Sequence, residues 1–234
     1  MDDMLDIQDL IVRYDDGVEA LRGVSLRMGR AERVALIGPN GAGKTSLLLA
    51  VLRGVPFAGR ISVAGEELTR RTADGVRGRC GMTFQDPDDQ LFMPTLLEDA
   101  AFGPLNQGLD APAAERRARL AIAAVGLEGL ENRGGHHLSG GQKRNAALAT
   151  ILSMQVDLLL LDEPGASLDF RSRRRLIELL AGRPEAMLLA THDLPMVRDL
   201  CSRAVLLDDG KIVADGPAGP VLDDRVLLAA HGLA

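Results

Sequence analysis

The chain has 234 residues, of which 46% are hydrophobic and 26% charged, with a formal net charge of −6. That length suits one large α/β domain with a small appended subdomain better than two full domains. The acidic balance argues against a general nucleic-acid-binding surface, and the unbroken apolar runs are far shorter than a membrane span needs.

The chain opens Met1-Asp2-Asp3-Met4, acidic where a secretory signal is basic and then apolar, so it is expected in the cytoplasm. Apolar and polar residues alternate over 10–14 and again over 24–28, on either side of Asp15-Asp16-Gly17, which is the pattern of an antiparallel hairpin. Tyr14, the only tyrosine, stands just before that turn. It is either a half-buried strand aromatic or a ring placed to stack on a purine.

Next, Arg33-Val34-Ala35-Leu36-Ile37 reads as a buried strand that runs into Gly38-Pro39-Asn40-Gly41-Ala42-Gly43-Lys44-Thr45, and Ser46 to Leu52 continues as a helix. The eight residues match G-x-x-x-x-G-K-[ST] in the strand-then-helix context that this pattern needs, so they form a phosphate-binding loop. Glycines let the backbone turn tightly, Lys44 can reach the outer phosphates, and the Thr45 hydroxyl can ligate Mg²⁺. The helix adds its positive dipole end.

Residues 60–65 form another short strand, and Cys80-Gly81-Met82-Thr83-Phe84 a buried one ending at Gln85. Cys80 and Cys201 show no metal-ligand spacing and are expected as reduced packing residues. The polar, proline-containing segment 85–90 is a loop. Residues 95–124 read as two or three helices with breaks at Gly103-Pro104 and over 108–112, and this helical insert is the candidate subdomain.

Leu138-Ser139-Gly140-Gly141-Gln142 precedes an Ala- and Leu-rich helix, and Ser139 with Gln142 fits a capping box. Two glycines in a first turn cost about 1 kcal/mol each relative to alanine. Close approach of an anion to that backbone is a reason to keep them.

Residues 156–161 form a strand of continuous apolar character, as in a parallel sheet covered on both faces, and deliver Asp162 and Glu163 at its carboxyl end. A helix follows Asp169, and its basic run Arg171 to Arg175 reads as a solvated face. Then come a strand at 186–190 ending in Thr191-His192-Asp193, a helix from Leu194, and strands at 203–207 and 211–214 around Asp209-Gly210.

A strand-end aspartate beside a phosphate loop suits Mg²⁺, which takes few protein oxygens and keeps waters and substrate phosphates. Glu163 can polarise an attacking water, and His192 can sense or stabilise a γ-phosphate. Together these residues favour nucleotide hydrolysis.

On these residues the chain resembles, along essentially its full length, the ATP-binding subunits of ATP-binding-cassette (ABC) transporters. The matching segments are Gly38 to Thr45 (Walker A), Gln85 (Q-loop), Leu138 to Gln142 (signature), Leu158 to Asp162 with Glu163 (Walker B and its glutamate), Ser167-Leu168-Asp169 (D-loop) and His192 (switch histidine). The resemblance implies an α/β fold: a P-loop NTPase core of mostly parallel sheet with an antiparallel β subdomain and a helical signature subdomain. The core and antiparallel part would occupy 1–84 and 156–217, the helical subdomain 86–154, and a C-terminal helix 218–234.

It further implies ATP and Mg²⁺ as ligands. Tyr14 would stack on adenine, and Gly38, Pro39, Asn40, Gly41, Ala42, Gly43, Lys44, Thr45 and Ser46 would hold the phosphates. Thr45, Gln85 and Asp162 would serve the metal, and Gln85 would link it to a transmembrane partner. Glu163 would be the general base, supported by His192. Ser139, Gly140, Gly141 and Gln142, with Asp169, would bind the ATP held by another subunit in a head-to-tail homodimer or heterodimer.

Within the family, Phe84 to Phe92 and Glu98 to Pro104 look like the energy-coupling-factor group of vitamin and metal-ion importers, and His136-His137-Leu138 is similar to its cobalt and nickel members. That implies a transmembrane coupling protein and a substrate-binding membrane subunit as partners, with uptake of a transition-metal ion or a vitamin such as biotin, and no nucleic acid. Asp88 and Asp89 are candidates for a groove that receives basic coupling helices; otherwise they are a solvated acidic loop. Asn145 departs from the family's frequent arginine, and Gly165-Ala166-Ser167 from its Thr-x-Gly. Another transporter class is an alternative. A nucleic-acid or translation-associated cassette would carry a long coiled-coil insertion or tandem cassettes, and a P-loop kinase gives no reason for residues 139–142.

Overall fold

The computed structural model describes residues 3–166 and 168–233. Ser167 of the D-loop segment lies outside the described residues, as do Met1, Asp2 and Ala234. The chain divides into two compact units: Met1–Cys80 with Asp157–Asp162 and Pro184–Ala234, and Gly81–Val156 with Glu163–Arg183.

The first unit begins with the expected hairpin, longer than the alternation suggests, from β1 (Asp3–Arg13) and β2 (Glu19–Gly29). Leu5 and Ile7 share a face, yet Leu10 and Val12, of opposite parity, are equally buried. Asp9 at φ 50° accounts for this: the register slips between Ile7 and Leu10, and the extra residue returns the apolar side chains to the core. Then follow β3 (Arg33–Ile37), α1 (Lys44–Val51), β4 (Ala58–Val63), β5 (Glu66–Glu67) and α2 (Ala73–Arg79). β2, β1, β4 and β5 form an antiparallel sheet in that order.

β6 (Cys80–Thr83) carries the chain into the second unit. There, α3 (Leu96–Asn106), α4 (Ala111–Ala124) and α5 (Gly140–Leu152) make the helical insert. The break expected at Gly103-Pro104 does not occur, because α3 runs through both residues. Leu96, Ala100 and Pro104 recur every four residues and are all buried, so the proline lies on the packed face. Gly103 has a packing reason too, since a Cβ there would meet Met154 Cγ at 2.4 Å. The break over 107–110 is real, with Asp110 capping α4 through the Ala113 N–H.

β7 (Leu158–Asp162) returns to the first unit, α6 (Phe170–Ala181) belongs to the second, and the first resumes with β8 (Ala186–Ala190), α7 (Leu194–Leu200), β9 (Arg203–Asp208) and β10 (Lys211–Pro217). The segment read as one C-terminal helix is two short ones, α8 (Ala218–Asp223) and α9 (Arg225–Ala230), separated by Asp224, whose carboxylate accepts the Leu227 N–H and starts the second. β3 pairs in parallel with both β8 and β9, and β8 in parallel with β7, while β10 adds an antiparallel edge on β9. Every residue of β7 and β8 is buried, which explains their unbroken apolar sequences.

The core is aliphatic. It is built from Leu, Val, Ile, Ala and Met, with both cysteines, and none of the five phenylalanines belongs to it. Burial pushes the Cys80 and Cys201 thiols up to about 12, in keeping with inert packing groups. Among the described residues no helix is long and apolar enough to cross a membrane.

Candidate nucleotide site

In the first unit the carboxyl ends of three adjacent parallel strands meet. Leu36 of β3 is level with Ala190 of β8, and Ala190 with Asp162 of β7. The phosphate loop, His192 and Asp162 therefore leave the sheet at one edge, where open α/β sheets bind ligands. Thr45 Oγ1 donates to Asp162 Oδ2 at 2.7 Å, joining the loop to β7 across 117 residues of sequence.

The loop is held from several directions. A Cβ on Gly38 would lie 2.1 Å from the Leu207 carbonyl oxygen, so β9 passes too close for any side chain. Gly43, at φ 105°, caps α1 in the left-handed region, and a Cβ there would lie 2.4 Å from the Ala20 carbonyl oxygen of β2. Gly210 donates to the Ala42 carbonyl and accepts from the Arg22 N–H, tying the β9–β10 turn to both the loop and β2. Lys44 is only 7% exposed, and its ammonium donates to the carbonyls of Gly38 at 2.7 Å and Pro39 at 3.0 Å. A fixed cation at the mouth of the loop is what an outer phosphate requires.

Tyr14 lies one residue past the end of β1. Its N–H donates to the Val18 carbonyl, the ring is partly exposed, and its hydroxyl is 3.0 Å from Ser46 Oγ at the start of α1. His192 is exposed one residue beyond buried Thr191, whose N–H donates to the Leu36 carbonyl. The pairing of a hydroxyl and a carboxylate oxygen at 2.7 Å fits a hard divalent cation. Neighbouring ligands of an octahedral Mg²⁺, each about 2.1 Å from it, lie about 3 Å apart. Among the described residues no cluster of three or more His, Cys, Asp or Glu forms a metal cage, and a metal held largely by substrate phosphates and water does not need one.

The second unit holds the remaining candidates. Glu163 is 7% exposed and has φ 47°, a left-handed conformation rare for a residue with a side chain. Gln85 is exposed. The capping box forms as the sequence indicates: Ser139 Oγ accepts the Gln142 N–H, and Gln142 Oε1 accepts the Ser139 N–H at 2.9 Å. A Cβ on Gly140 would meet nothing within 4 Å, and one on Gly141 only Leu168 at 3.5 Å, so the backbone at the start of α5 is open to a ligand. Asp169 caps α6, and the Ser172 N–H bonded to its carboxylate holds it below the usual aspartate range.

Three side chains outside the sequence candidates also organise this unit. Lys143 Nζ contacts both carboxylate oxygens of Asp88, at 2.6 and 2.8 Å, so Asp88 is paired within the chain and Asp89 is left as an exposed acid of the loop. Gln90 accepts the Phe84 N–H and donates to the Ala147 carbonyl and Thr150 hydroxyl of α5. Arg144 bonds to the backbone carbonyls of Gln85 and Glu163. No local pattern marks these partners. Asn145, the departure from the family arginine, donates to the Val125 carbonyl. The His136 and His137 ring centroids lie 4.0 Å apart with the planes tilted at 45°.

A protein-family model described as ABC transporter matches residues 21–166. The chain belongs to the ABC transporter family. It is an ATP-hydrolysing cassette, the ATP-binding subunit of such a transporter. A Gloeobacter violaceus protein named as an ABC transporter ATP-binding protein is 48% identical over 97% of this cassette and 94% of its own length. The energy-coupling factor transporter ATP-binding protein EcfA of Methanothermobacter thermautotrophicus is 39% identical over 98% of this chain and 76% of its own. Among solved structures, cbiO1 of Clostridium perfringens, part of the ABC transporter complex cbiONQ, superposes with a TM-score of 0.83 at 30% identity, covering 100% of this cassette and 96% of that chain.

Proposed function

We propose that this cassette powers a membrane importer of the energy-coupling-factor class, driving uptake of cobalt, nickel or a vitamin such as biotin. The observation that carries its ATPase part is the Thr45–Asp162 bond, which closes the phosphate loop onto the strand that delivers Glu163. The class is supported by EcfA and cbiO1 as relatives and by the segment 84–104. The cassette would act at the cytoplasmic face of the membrane, as one half of a homodimer or heterodimer.

In this reading Lys44 and the loop backbone bind the β- and γ-phosphates. Thr45 and Asp162, with Gln85, would hold Mg²⁺, which would supply positive charge against the phosphates. Glu163 takes a proton from the attacking water as its oxygen bonds to the γ-phosphorus; the bond from that phosphorus to the bridging oxygen breaks, and ADP and phosphate leave. His192 steadies the γ-phosphate. The open backbone at Gly140 and Gly141, with Ser139, Gln142 and Asp169, binds the nucleotide of the facing subunit.

Tyr14 stacks on adenine. Tyr14→Ala is expected to weaken ATP binding about tenfold while leaving triphosphate binding within about twofold, since base–aromatic stacking is worth roughly 1–3 kcal/mol. Tyr14→Phe, which loses only the Ser46 contact, should stay within about threefold of native. Equal losses for ATP and triphosphate in Tyr14→Ala would assign the ring to packing.

The membrane partner docks on the second unit beside residues 84–92. Phe92, 63% exposed, meets Phe102 edge to face at 5.1 Å, and Leu105 one turn further along α3 is also exposed. Such an apolar surface beside an acid fits an amphipathic basic helix. Charge reversal at Asp88 and Asp89 together should strip copurifying membrane proteins from the cassette with ATP binding within about twofold of native, the charge-bearing contacts at an interface being the ones that fix specificity. An unchanged complex would overturn this docking site, and copurification with membrane proteins of another transporter type would overturn the class.

A further inference from the structure

We propose that Arg144 is a positioning residue for hydrolysis, fixing the backbone of Glu163 and of Gln85 to one point on α5. It rests on the assignment of Glu163 as the base. The same guanidinium nitrogen, Nη1, donates to the Glu163 carbonyl at 3.2 Å and to the Gln85 carbonyl at 3.3 Å.

The need for such a tie is visible in the backbone. Glu163 sits at φ 47°, and a residue with a Cβ stays there only when its surroundings hold it. Its carbonyl accepts from the Ala166 N–H at 3.1 Å as well as from Arg144, which uses both lone pairs and fixes the peptide plane. Holding that plane steadies the backbone from which the Glu163 side chain leaves. A charged donor makes the stronger of the two bonds.

Arg144 also belongs to a series of anchors. Lys143 pairs with Asp88, Arg144 holds Gln85, and Gln90 reaches from the loop back to Ala147 and Thr150. α5 thus grips the 84–90 segment at three places and Glu163 at one. Because Arg144 contacts both, displacement of the loop at Gln85 pulls on the support of the base. Binding at the loop and hydrolysis at Glu163 are linked through one guanidinium nitrogen, whose two N–H groups serve the two carbonyls.

The test uses the full-length cassette with the membrane proteins that copurify with it. Arg144→Ala should lower kcat for ATP about tenfold or more with KM within about twofold, the pattern of a group that matters in the transition state and not for ground-state binding. Arg144→Lys should recover part of the lost rate and uncharged Arg144→Gln little of it. A kcat within about twofold of native in Arg144→Ala overturns the proposal, as does a KM that rises as kcat falls, or a lysine variant as slow as the alanine one. Glu163→Gln run alongside separates the two assignments. Turnover surviving there overturns the base and the proposal together; an inactive Glu163→Gln beside an unaffected Arg144→Ala overturns the proposal alone.

Discussion

Glu163→Gln is expected to bind ATP as the native chain does and to hydrolyse it about 10²-fold or more slowly, the range a positioned general base contributes. Glutamine keeps the shape and hydrogen-bonding reach of the side chain and removes only its ability to take a proton. Glu163 is nearly buried in a strained backbone conformation, so this near-isosteric change is the appropriate one. Alanine would keep the Cβ and its strain but remove the packing of the side chain together with the carboxylate. Phosphate release measured with and without saturating ATP, beside nucleotide affinity, checks the result. Undiminished turnover would remove Glu163 from the base role.

Lys44→Ala should cost ATP affinity about 10- to 100-fold, in line with the loss of charge-assisted hydrogen bonds to phosphate. Lys44→Arg should rescue little. Lys44 is 7% exposed and its ammonium sits within 3.0 Å of two loop carbonyls, a setting made for a compact point charge rather than a planar guanidinium. Titration of both variants with ATP and with adenosine checks this: the deficit should appear for ATP and vanish for the nucleoside. An equal deficit for both would mean that the substitution unfolds the loop instead.

The parts of this fold that the sequence reveals are those set by neighbours in the chain. The capping box at Ser139 and Gln142 is three residues wide and forms as the pattern indicates. The all-apolar runs of β7 and β8 correctly signal strands buried on both faces. What escapes is set at a distance. α2 is hidden because Gly75 and Gly78 lower its helix propensity, and it forms on the burial of Ala73 and Val76. Gly103-Pro104 reads as a break and is a packed helix face, since the contact with Met154 comes from about fifty residues away. The bulge at Asp9 is invisible in a simple alternation.

The same division applies to the site. The phosphate loop, Asp162, Glu163 and His192 are legible from type and spacing. Their partners are not: Thr45 with Asp162, Tyr14 with Ser46, Gly43 against Ala20 and Arg144 across Gln85 and Glu163 are juxtapositions that topology alone creates. Asp88 is a further case, since nothing in the local sequence marks Lys143 as its partner.

The placement of Tyr14 has an optical consequence. The chain has no tryptophan and a single tyrosine, so all of its ultraviolet fluorescence beyond the weak phenylalanine emission comes from one ring. That ring is partly exposed and its hydroxyl rests on Ser46, the residue that follows the phosphate loop. The cassette carries one built-in lamp, set beside the residue that follows its phosphate loop, and needs no dye to report a change there.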